Sequence, residues 1–286
     1  MKKVIDGKLY LKYYQGEGNY GDQINLVVWD KHISKVELKE KATLYGIGTL
    51  LRSSNVEDGK KVIFGSGVGY GDPPEITDEW VPYCVRGPKT ASRLGISQEY
   101  AVTDPGILIA DFIERKENRS GVAFFPHESS LRRIPWKKYC NWLGLKFISP
   151  RWSVERVSRL IAGADIVVTE AMHGAITADA LRVPWIPIMM NDEILKFKWK
   201  DWCASMNLEY NPVILGRVDL NSRFGRIKWR TKAPIMLAKV SNNYDNYEKR
   251  LSKKTTMKSK MEEIKKRMKM MSYDIGRGIL KGYQGG

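Results

Sequence analysis

Between residues 121 and 189, short apolar runs rich in β-branched and aromatic residues alternate with stretches of helical spacing, which leaves few folds open. The runs are GVAFFPH, KFISP, DIVVTE and PWIPIM. The helical stretches lie around PWKKYCNWLG (135–144), at Val154–Ala162 and at 174–181. Strands separated by single helices pair in parallel through right-handed crossovers. The first 113 residues carry a looser version of the pattern. LYLKYY (9–14) reads as a strand, QGEGNYGD as a glycine-rich turn and 23–30 as a helix. ATLYGIG and KKVIFGSGVGYGD read as strand-to-loop units. YCVRGPKTASRLG reads as a short strand, a turn at Pro88 and a helix ending at Gly95, and TDPGILIADFI closes this half. The charged segment ERKENRS (114–120) has no apolar residue and is the natural linker. A chain of 286 residues accommodates two domains of about 100–150 residues each. The expected fold is therefore α/β, with two Rossmann-like domains, 1–117 and 118–247, facing a cleft.

Residues 248–286 form a third segment. From Glu248 to Met271 there are ten Lys or Arg against three Glu, so much of the net charge of +16 sits there. Met257, Met261, Ile264, Met268 and Met271 are spaced 4, 3, 4, 3, an apolar stripe on a basic amphipathic helix. Such a helix either docks its stripe on a domain or lies on an anionic membrane surface. Nothing matches a nucleic-acid motif, so no nucleic-acid partner is expected. The N-terminal residues lack the apolar run of a signal peptide, and no apolar stretch approaches the ~20 residues of a membrane span. The expected location is cytoplasmic, free or peripheral on the inner membrane face. Cys84, Cys140 and Cys203 show no metal-ligand or disulfide spacing, and no metal is expected.

In open parallel sheets, ligands gather at the carboxyl ends of the strands, and every candidate residue lies at such an end. Glycines 16, 18 and 21 stand between a strand and a helix. Backbone around Asn19, Gly21 and Asp22 either approaches an anion at the helix N-terminus or forms a turn with Asp22 as cap. Gly65, Ser66 and Gly67 let a ligand or a facing domain come close to backbone. Arg86 is a two-pronged donor for carboxylate or phosphate, or else a surface arginine. His127 either donates to a phosphate or caps a helix beside Ser129 and Ser130. Glu170, Met172, His173 and Gly174 emerge from DIVVTE at a helix start, where His173 serves either acid–base chemistry or the helix end. His32 has no evident role. No Ser-His-Asp, Cys-His or paired-carboxylate arrangement can be read from spacing.

Taken in order, NYGD, FGSGVG, VRGPKTASRLG, VTDPGIL, FPHESS and TEAMHGAITADALRVPW resemble the motifs of the polysaccharide pyruvyl transferase family. The last is closest to the ketal-forming branch that acts on exopolysaccharides such as succinoglycan. The resemblance covers roughly residues 9–188. It implies a glycosyltransferase-B-like arrangement with phosphoenolpyruvate bound in the cleft between domains. The reaction would move the pyruvyl group onto a sugar of an exopolysaccharide precursor, lipid-linked or nucleotide-linked, with no metal or organic cofactor. His173 falls on the family's acid/base, and Arg86 on an arginine that would hold the donor's carboxylate or phosphate. His127 and the loops 19–22 and 65–67 would line the cleft. One departure concerns the anion site. Many members have Arg-Leu-His-Gly where this chain has Ala171-Met172-His173-Gly174, so either Arg86, Arg151 or another cation such as Arg132 takes that role, or the donor differs. The alternatives are a nucleotide-sugar-dependent glycosyltransferase of the same architecture, with Glu170 as a poorly placed donor-binding acid, and a non-enzymatic binder built on the tail.

Overall fold

The computed structural model describes residues 3–6, 9–14, 18–32, 41–189, 194–215 and 223–284. Of these, 3–6, 32 and 223–230 are described by backbone alone. Gly16 and the His32 side chain lie outside this description.

The first sheet has five strands, β1 (Lys3–Asp6), β2 (Leu9–Lys12), β3 (Ala42–Tyr45), β4 (Lys60–Phe64) and β5 (Trp80–Cys84), in that spatial order. Only β1 is antiparallel to its neighbour. Helix α1 (Tyr20–His32) makes the β2-to-β3 crossover, and α2 (Pro88–Leu94) follows β5. The crossovers into β4 and β5 contain no α-helix. Their sequences, GIGTLLRSSNVEDG and GSGVGYGDPPE, are rich in the glycine and proline that disfavour one. A buried 3-10 turn, Pro105–Asp111, then closes this half, capped where Gly106 N donates to Asp104 Oδ1 (2.8 Å).

The second sheet is built from β6 (Val122–Phe125), β7 (Lys146–Phe147), β8 (Ile166–Thr169), β9 (Trp185–Met189) and β10 (Val213–Ile214). Its order is β10-β9-β8-β6-β7, all parallel. Helices α3 (Glu128–Leu131), α4 (Trp136–Trp142), α5 (Val154–Ala162), α6 (Met172–Ala180) and α7 (Lys196–Ser205) lie between these strands. Helices α8 (Arg223–Asn242) and α9 (Lys254–Gly276) follow. The alternation in 121–189 is thus a parallel α/β sheet, and α5 spans the residues expected from sequence.

One buried apolar cluster runs through both sheets, from Leu11, Leu44 and Phe64 to Phe125, Val167 and Trp185. Tyr20, fully buried, ties them together: its hydroxyl lies 2.8 Å from Ser158 Oγ and 2.7 Å from Thr177 Oγ1, linking α1 to α5 and α6. Later elements return to the first sheet. Helix α7 packs on α2, and α9 packs on β5 and the 105–111 turn. The stripe of α9 is buried there through Met257, Ile264, Met268, Met271 and Ile275, with Met261 partly buried. Some of its cations serve the docking too. Arg267 donates to the carbonyls of Tyr83 (2.6 Å) and Glu99 (2.8 Å), and Lys265 pairs with Asp111 (2.8 Å). Among the described residues no helix is long and apolar enough to cross a membrane.

Candidate active site

Strand polarity brings the carboxyl ends of β2, β3, β6 and β8 to one cleft of about 510 Å³. Asn19, Asp22, His127, Met172 and His173 line it, as the sequence led one to expect. So do Lys12, Tyr13, Tyr14, Thr49, Arg52, Tyr70, Glu128 and Lys198, which sequence reasoning did not single out.

His173 is the second residue of α6, at the helix end that repels a further positive charge. A carboxylate offsets this: Asp104 Oδ2 lies 3.5 Å from His173 Nε2, with Asp104 fully buried and its Oδ1 held by Gly106 N. The contact is wider than a made hydrogen bond, and neither Nε2 nor Oδ2 has a hydrogen-bond partner. Nε2 thus faces buried Asp104, while the other ring nitrogen, Nδ1, faces α1. That atom packs over Gly21, where a β-carbon would come within 2.1 Å of it. Gly21 therefore acts by absence, leaving room for the imidazole. Beside it, Asp22 is pushed up to about 6 by burial, with His173 and Lys198 opposing the rise.

His127 both caps and lines. Ser129 N donates to its Nδ1 (3.3 Å), with Ser129 Oγ 2.8 Å away, so in the neutral ring the proton is on Nε2. Burial and the nearby Lys198 push this histidine down to about 3, keeping it neutral. Glu170 lies fully buried behind it. Its Oε2 accepts from His127 N (3.1 Å) and contacts Ser130 Oγ, while Oε1 has no partner. Burial pushes Glu170 up to about 7. The hydrogen bonds from Ser130 Oγ and His127 N to Oε2 hold back part of that rise. Ser130 Oγ also accepts from Trp136 Nε1 (3.2 Å) and lies 3.0 Å from the His127 carbonyl.

The remaining candidates support the cleft without lining it. Arg86 is completely buried: Nε pairs with Asp201 Oδ2 (3.0 Å), Nη1 donates to Thr49 Oγ1 (3.0 Å) and Nη2 to the Val68 carbonyl (2.9 Å). Gly67 admits that guanidinium, since a β-carbon would lie 2.2 Å from Arg86 Cζ. Gly65, at φ +84°, seats Pro105 next to Asp104. Ser66 Oγ accepts from Leu50 N (3.3 Å) and shapes the Gly48–Leu50 wall. Gly174 makes room for the Phe125 ring. Arg132 and Arg151 both reach Glu128, at 3.0 and 2.6 Å. Asp104 stood in the motif VTDPGIL, but nothing in that motif tied it to His173. Lys198 lies beyond the motifs and gave none.

The site residues singled out from sequence, Asn19 to Gly174, lie within a region that matches known proteins. A family model described as polysaccharide pyruvyl transferase matches residues 19–192. The succinoglycan biosynthesis protein ExoV of Rhizobium meliloti (strain 1021) is 37% identical to the chain over 207 residues, 70% of this chain and 66% of that protein. The chain thus spans about two thirds of the relative's length. The family match includes Asn19, Asp104, His127 and His173, and it takes in more than half of the molecule. The chain belongs to the polysaccharide pyruvyl transferase family.

Proposed function

We propose that this protein transfers the pyruvyl group of phosphoenolpyruvate to a sugar of an exopolysaccharide precursor, closing a pyruvate ketal across two hydroxyls. The observation that carries the reading is the His173–Asp104 pair in a cleft that also holds neutral His127 and the ammonium of Lys198. Protonated His173, steadied by Asp104, gives a proton from Nδ1 to the methylene carbon C3 of the donor, which makes C2 electrophilic. A sugar hydroxyl adds to C2 and returns its proton to the ring. The C2–O bond to phosphate breaks, and the second hydroxyl closes the ketal. Of the two hydroxyl protons, one replaces the proton given to the methyl group and the other leaves with phosphate.

The outer part of the cleft suits the acceptor. Tyr14 is 63% exposed and Tyr70 45% exposed, with Arg52 and Asn55 between loops at the same mouth. Flat aromatic faces beside polar donors fit a saccharide ring. If the acceptor is lipid-linked, the outward lysines of α9 provide the face toward an anionic membrane, its methionine face being docked. The nucleotide-sugar alternative relied on Glu170, whose carboxyl is buried behind His127.

Incubation with phosphoenolpyruvate and a lipid-linked saccharide should release inorganic phosphate and yield a ketal-bearing product. His173→Ala should lower turnover by roughly 10²-fold or more. Undiminished turnover in that variant overturns the acid/base assignment.

A further inference from the structure

A donor that carries both a carboxylate and a phosphate calls for a cation in the inner cleft, and most of the arginines and lysines around it are already engaged. Lys12 is held by Glu57 (2.8 Å) and the Asn55 carbonyl (2.6 Å). Arg86 is locked by Asp201, Thr49 and Val68, while Arg132 and Arg151 turn to Glu128. Arg52 is exposed at the mouth. Lys198 differs from all of these. It is half-buried, lines the cleft with His127 and His173, and among the described residues its ammonium makes no hydrogen bond or ion pair.

Resting on the pyruvyl-transfer reading, we propose that Lys198 is the cation that binds an anionic group of phosphoenolpyruvate, supplying the charge absent at Ala171. Its placement is built into the fold. One helical turn further along α7, buried Asp201 accepts from Arg86 Nε, Thr90 N (3.0 Å) and Thr90 Oγ1 (2.6 Å), fixing the helix to the first sheet. At the helix start, Leu195 packs where a β-carbon on Gly69 would stand, 2.5 Å from its Cδ2. Lys198 thus projects from an anchored helix. Within the protein its pairing needs are unmet: burial and Arg86 push the ammonium down to about 8, with Asp22 opposing. An arriving anion offsets both effects. His127, neutral with its proton on Nε2, supplies a donor in the same cleft. Arg86, Asp22 and His127 are the charged and titratable groups that act on Lys198, with His173 and Tyr70 elsewhere along the walls.

Calorimetric titration with phosphoenolpyruvate alone, followed by steady-state kinetics, tests this. Lys198→Met keeps the chain length and suits a buried site. It should weaken donor binding roughly 10- to 100-fold, the range for a lost charged hydrogen bond, and leave the acceptor KM unchanged. Wild-type donor affinity should fall as pH rises through about 8. Lys198→Arg, which stays charged, should lose that fall. Inorganic phosphate, used as a competing probe, should protect wild type from thermal unfolding more than Lys198→Met. Unchanged phosphoenolpyruvate affinity in a folded Lys198→Met variant overturns the role of Lys198 alone. Absence of phosphoenolpyruvate binding in wild type overturns the donor assignment beneath it.

Discussion

A single hydrogen atom at position 21 decides whether His173 can sit where it does. Alanine would favour helix α1 by about 1 kcal/mol on propensity alone. Its β-carbon, however, would occupy the space of the His173 imidazole. Gly21→Ala should therefore keep the thermal stability of the protein while lowering turnover roughly 10²-fold through a displaced ring, as paired melting and phosphate-release measurements will show. His173 itself was legible in the sequence because a strand end, a helix start and a histidine coincide there. Asp104 was not, since only tertiary packing brings it to Nε2. Arg86 illustrates the opposite error source. A guanidinium at a strand end reads the same whether it faces a ligand or turns beneath a loop, and here it turns toward Asp201. Its three protein partners replace the anion that the resemblance implied.

At the scale of elements, the parallel order of the second half could be read from apolar runs of strand length divided by helices. The boundaries of α5 match the helical stretch read at Val154–Ala162, and the structure adds Ser153 as its cap, accepting from Arg156 N. Helix α1 starts earlier than the 23–30 expected, at Tyr20, because Tyr20 N donates to the Pro150 carbonyl (2.8 Å) and fixes the helix entrance. That contact involves a distant loop and leaves no local mark. For α9, periodicity revealed the stripe but not its occupant, since a protein core and a lipid surface select the same pattern. The stripe lies in the main core, with Met271 fully buried. Met271→Ala should accordingly cost about 2–5 kcal/mol of global stability, read as a lower urea midpoint. A helix merely resting on the surface would leave that midpoint in place.

At the scale of the whole molecule, two buried acids among the described residues titrate against the usual carboxylate behaviour. Glu170 rises from 4.5 to about 7 and Asp22 from 3.8 to about 6, both because burial penalises the charged form. The folded state therefore holds protons that the unfolded chain releases. Their contribution is complete below about pH 4 and is lost as pH rises through 6 to 7. For Glu170 the loss is on the order of 3 kcal/mol at most. Glu170→Gln should flatten the decline in urea stability between pH 5 and 8, and an unchanged slope would show that Glu170 is ionised throughout. The same scale gives the Arg86–Asp201 pair a meaning in time. During synthesis the arginine leaves the ribosome well before its carboxylate, which lies 115 residues downstream. An unpaired guanidinium cannot be buried cheaply, so the loop after β5, at the edge of the first sheet, is expected to close over Arg86 only once α7 has been translated. The cleft is then finished by the late arrival of the helix that also carries Lys198, and in a nascent chain stalled before that point the proposed anion site is incomplete.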